Sequence, residues 1–199
     1  MRIKFFKKQR DVGKQLLLVN IIHSENDRAL EGGCSFLSTD DLAKWASMTK
    51  YELDNFINVC AALDPYCMAR DAAEECCKEE PFRSEGNAYF FVMVTFSRMG
   101  KRFAASLDID KFEDYCRTVS EQNYKTFCEK YGEYPVPNTF SSPEILKKMM
   151  GFYIKYMLTI INKTISQGYD WAVITSMTRS RISEERYQSL VDFFEVDQN

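Results

Sequence analysis

Apolar residues recur at helical spacing along most of this chain, and the places where the spacing fails divide it. Val12, Leu16, Val19 and Ile22 or His23 fall on one stripe, which predicts a first helix over residues 6–31. Gly32-Gly33 supplies its stop, because glycine reaches the left-handed region without a Cβ penalty. Two short amphipathic stretches follow between Ser38 and Phe56, and Asp64-Pro65 closes the second of them. Residues 66–80 form an ambiguous segment. Tyr66, Met68, Ala72 and Cys76 could line a helix there, with Glu74, Glu75, Glu79 and Glu80 toward water, before the loop from Pro81 to Gly86.

The period breaks at Ala88. Residues 88–96 are mostly aromatic and β-branched, the composition of a strand buried on both faces. Arg98-Met99-Gly100-Lys101 then reads as a hairpin turn, with a returning strand to Leu107 that sets Phe103, Ala105 and Leu107 on one face. From Asp108 the helical pattern resumes. Residues 110–131 place Phe112, Tyr115, Cys116, Val119, Tyr124 and Phe127 inward, with Gly132 at the end. A linker with Pro135 and Pro137 precedes Ser142-Pro143-Glu144, a cap, a first-turn proline and a dipole-favourable acid. The helix they start, 143–167, is apolar nearly all round, as in a core or an oligomer interface. Shorter helices follow at 169–178 and 183–196. The expected fold is mostly α with one β-hairpin (α+β), divided into residues 1–108 and a helical region, 109–199.

Charge changes this picture locally rather than overall. The net charge is −3 and the pI about 5.4. Residues 1–14 hold six basic side chains (Arg2, Lys4, Lys7, Lys8, Arg10, Lys14) against Asp11, whereas residues 20–89 hold six basic against fourteen acidic. Ordinary proportions, 45% hydrophobic and 28% charged, indicate a globular chain, and 14% aromatic residues indicate a ring-rich core or interface.

Seven cysteines with no CxxC spacing read as free thiols in a reducing compartment; Cys60, Cys67 and Cys76-Cys77 match no standard zinc finger. The apolar run Leu16–Ile22 is short, is interrupted by Asn20 and has no cleavage site after it, so it does not read as a signal peptide. No segment reaches the roughly eighteen apolar residues of a membrane span. A cytoplasmic protein without a membrane partner is expected.

Chemistry is sparse. His23 is the one histidine, so no Ser or Cys nucleophile has another base to pair with. Neither glycine-rich phosphate cradle is present, and Asp108/Asp110 and Glu184-Glu185 read as solvated helix starts. No enzyme activity, cofactor or metal is expected.

The stretch Ser38–Phe56 carries the most information. Leu42, Ala43 and Ala46 suit a first helix crossed closely by a second; Ser47 takes the turn, Met48 is the apolar residue after it, Thr49 caps the second helix, and Leu53 and Phe56 anchor it. This layout resembles the helix-turn-helix superfamily, in which the turn position favours Gly. The resemblance implies that outward residues of the second helix read the major groove: Lys50, Tyr51, Asp54, Asn55 and Asn58, with Lys44 and Thr49 on phosphates. In winged variants a hairpin follows, and the expected hairpin would carry Arg98, Lys101 and Arg102 at its tip. The implied protein is a DNA-binding regulator or accessory factor of replication or transfer, acting as a homodimer through helix 143–167. The acidity of residues 20–89, with Glu52 and Asp54 inside the second helix itself, supports an alternative. On that reading the chain is an acidic protein-interaction module, an adaptor or an inhibitor of another macromolecular machine.

Overall fold

The computed structural model describes residues 11–33, 38–84, 88–99, 103–131 and 142–196, and every regular element among them is helical. In chain order these are α1 (Val12–Leu30), α2 (Thr39–Ala46), α3 (Lys50–Leu63), α4 (Pro65–Cys76), α5 (Ala88–Met99), α6 (Phe103–Ser106), α7 (Phe112–Tyr131), α8 (Pro143–Ser166), α9 (Trp171–Met177) and α10 (Glu184–Phe194). Short 3-10 turns lie at Phe82–Ser84 and Ile109–Lys111. They form two compact units. One comprises Met1–Asp64 with Ile160–Arg179, the other Pro65–Thr159 with Ser180–Asn199.

The expected β-hairpin is absent among the described residues, so the α+β assignment and the wing are both corrected. Residues 88–99 form α5, and the returning segment contains the short helix α6. The reason lies in which residues are buried: Ala88, Phe91, Val92, Thr95, Phe96 and Met99 recur at spacings of three and four, a helical stripe. Tyr89, Met93 and Val94 continue the apolar composition around the outer side, which hides that period from a sequence reading. The hydroxyls of Thr95 and Ser97 donate to the carbonyls of Phe91 and Met93 at 2.8 and 2.9 Å, so both are satisfied within the helix one turn back. α5 packs on α4, whose buried Ala69, Ala72 and Ala73 permit close approach. Arg98 is thus an exposed helical residue; Lys101 and Arg102 lie outside the described residues.

In the first unit, α1 begins where the Asp11 carboxylate accepts from the Lys14 amide at 3.2 Å and ends at Gly32, with φ +82°. Its buried stripe is Gln15, Leu18, Val19, Ile22 and His23, turned from the one expected through Val12 and Leu16. α1 packs against α3 and α9, and Leu18, Leu53, Phe56, Leu63, Val173 and Met177 belong to the core.

In the second unit Phe96 stacks on Tyr153 of α8 at 4.9 Å between centroids. Cys116 of α7 meets Met150 at 3.5 Å between sulfurs. The part of α8 that belongs to this unit buries an apolar stripe: Leu146, Met149, Tyr153, Ile154 and Leu158 are all nearly inaccessible. No helix among the described residues is long and apolar enough to cross a membrane.

Candidate interaction site on the helix pair

Residues 47–49 separate α2 from α3, and local hydrogen bonds fix both sides of this turn. The Ser38 hydroxyl oxygen accepts from the Asp41 amide at 3.1 Å to start α2. Ser47 ends it in the left-handed region, φ 56° and ψ 41°, while the Met48 amide donates to the Ala43 carbonyl at 2.9 Å. Thr49 then opens α3 with a capping box. Its hydroxyl oxygen accepts from the Glu52 amide at 3.2 Å, and its own amide donates to the Glu52 carboxylate at 2.8 Å. Ala43, Leu53 and Phe56 point inward and are buried.

The outer side of α3 is different in kind. Tyr51, Asn55 and Asn58 are exposed in a line at spacings of four and three. With Val59 and Ala62 they form one wall of a groove of about 570 Å³. Ile160, Lys163, Thr164 and Ser166 from the end of α8, with Gln167 and Tyr169 after it, line the rest. Tyr169 is steadied by Phe56, whose ring centroid lies 5.9 Å away. Lys163 is the one charged residue among those that line the groove, and it has no ion pair among the described residues.

The cations nearer the turn are matched. Lys44 lies 3.9 Å from Asp41, and Lys50 lies 3.7 Å from Asp40. All four side chains are exposed, so these pairs stabilise little, but they offset the positive charge of the helix pair.

A polar clamp holds the far end of α3. Arg179 grips Asp27 of α1 through two nitrogens at 2.7 and 3.0 Å, and its Nε lies 3.5 Å from the carboxylate of Asp64, the residue that ends α3. His23 donates from Nε2 to the Ser176 carbonyl at 3.1 Å, and its Nδ1 is 4.0 Å from Asp64. Burial holds the imidazole below its ordinary pKa; Arg179 adds to this, and the Ser176 carbonyl and Asp64 oppose it. Arg179 itself takes φ 50°, a left-handed conformation that non-glycine residues adopt at some cost. The clamp ties α1, α3 and α9 together and brings no nucleophilic hydroxyl or thiol to the histidine among the contacts described.

Of the residues named from the sequence, Lys44, Thr49, Lys50, Tyr51 and Asn55 share the helix pair, and Tyr51 and Asn55 reach the groove with Asn58. Arg98 belongs to the other unit. Sequence reasoning missed Lys163, Gln167, Tyr169 and Arg179, which are distant in the chain and carry no local motif. Burial raises the Cys60 and Cys76 thiols to about 12 and Cys116 to about 11, so these are poor nucleophiles. Among the described residues no group of His, Cys, Asp or Glu is arranged to hold a metal ion. No family model, curated protein or solved structure matches the chain.

Proposed function

We propose that the chain is a protein-interaction module, an adaptor or an inhibitor of a larger assembly, with the outer side of α3 and its groove as the contact face. The observation that carries this reading is the character of that face. Its exposed line is Tyr51, Asn55 and Asn58, while Lys44 and Lys50 each stand beside an aspartate. Duplex DNA is held by ammonium groups that replace its counterions, and matched lysines supply less of that. Asparagine and glutamine amides both donate and accept, as a peptide backbone requires. Tyr51, at 65% exposure, is a residue type that anchors protein interfaces. Lys163 suits a carboxylate on the incoming segment.

One observation favours DNA as a second reading: the three-residue turn with Ser47 in the left-handed region, between helices whose inward positions are filled. On that reading α3 enters the major groove, with Lys44, Thr49, Lys50, Tyr51 and Asn55 as contacts. Titration with genomic duplex DNA at low and high salt separates the two. The protein-interaction reading expects no salt-sensitive binding that depends on Lys44 or Lys50. Tight, salt-sensitive binding weakened by Lys50→Ala would transfer the helix pair to DNA.

A further inference from the structure

We infer that the second unit carries a docking groove for an acidic segment of another protein, one that also offers apolar side chains. A second groove, of about 560 Å³, lies there, and it is built from rings. Phe112 of α7 meets Phe193 and Phe194 of α10 edge to face, with centroids 6.1 and 5.4 Å away, and the latter two pack on each other at 4.9 Å. Such mutually locked rings make a stiff apolar wall. Phe193 nevertheless remains 44% exposed.

Positive charge is in excess around these rings. Lys147, Lys148 and Lys155 line the groove against a single carboxylate, Glu144. Lys147 is paired with Glu113. Lys148 donates to the Glu80 backbone carbonyl at 3.0 Å, a bond that leaves its charge unneutralised. Lys155 is exposed and has no ion pair among the described residues. In a chain of net charge −3 this is a local positive excess beside an apolar floor. A segment with carboxylates flanking Leu or Phe side chains matches both features. A bare phosphate backbone would match the lysines and leave the rings uncovered.

Gly151 supplies an independent argument. It lies inside the 24-residue helix α8, where glycine costs about 1 kcal/mol relative to alanine. No clash requires it, since an added Cβ would meet only Phe194 Cε1, at an ordinary 3.7 Å. Its missing side chain instead leaves room in the groove it lines.

The test is fluorescence anisotropy on the full chain with a short labelled helical peptide bearing Leu and Phe on one face and Glu on the other. Saturable binding that weakens as salt rises is expected. Lys148→Glu with Lys155→Glu should weaken it about tenfold or more. Gly151→Met should abolish it by occupying the floor, whereas Gly151→Ala should retain it. Circular dichroism melts showing both Gly151 variants at least as stable as the parent exclude unfolding as the cause. The proposal is overturned if a peptide with Lys in place of Glu binds equally well, or if Gly151→Met stays within about twofold of the parent. Preferential capture of duplex DNA or of acidic-lipid vesicles overturns it too, as does a dimer in light scattering that Phe193→Ala dissolves.

Discussion

Lysines stand on both candidate surfaces and have different consequences on each. On α2 and α3 every described lysine faces an aspartate, and the groove beside them offers mainly tyrosines and amides, with Lys163 its one charge. On the second unit Lys148 and Lys155 lack a carboxylate partner in the contacts described and border a wall of phenylalanines. The difference shows that net charge is a poor guide to what a chain binds; the pairing of each charge with its immediate neighbours is the relevant quantity. The two surfaces also differ in support. A polar clamp fixes α3, whereas aromatic packing fixes the groove at Phe193.

The largest effect should come from breaking the core beneath the first surface. Phe56 is 1% exposed and steadies Tyr169, so Phe56→Ala should cost about 3–5 kcal/mol in urea unfolding. Next comes the clamp: Arg179→Ala removes a two-pronged bond to Asp27 and should cost about 2 kcal/mol in the same assay. Thr49→Ala, which dissolves the capping box at the head of α3, should cost about 1 kcal/mol. On the second surface the sign reverses. Gly151→Ala should gain up to about 1 kcal/mol, because helix propensity improves and nothing clashes.

The smallest effect is a pH dependence confined to the first unit. Because the folded imidazole of His23 titrates below its ordinary value of about 6.5, the unfolded chain takes up that proton first. The associated stability is complete above the ordinary value and is lost as pH falls from there toward the lowered one. Melting temperatures measured across that window should decline in the parent and decline less in His23→Gln, whose amide can still donate to Ser176. An identical decline in both would remove His23 from the account.

Much of the helical content was legible because caps and periods are local. Thr49, Pro143 and Ser183 lie at the starts expected of them, and Gly32 at its stop. The hairpin was misread because residues 88–96 are apolar on every side, and a run of that kind has no visible period until burial separates Phe91 and Phe96 from Tyr89 and Val94. The outward residues Tyr51, Asn55 and Asn58 could be read from α3 alone. Their partners could not, since nothing in chain order announces that residues 160–179 join the first sixty-four. Arg179 was equally silent, being a basic residue in a polar stretch whose meaning depends on Asp27 and Asp64.

The central claim is that the outer side of α3 meets protein. A photo-crosslinking amino acid in place of Tyr51, irradiated in the source cell, tests it most directly. A discrete adduct is expected whose size nuclease leaves unchanged and whose digest yields partner peptides, lost when Asn58→Arg fills the groove and retained in Lys44→Ala. An adduct sensitive to nuclease, or one indifferent to Asn58→Arg, would contradict it.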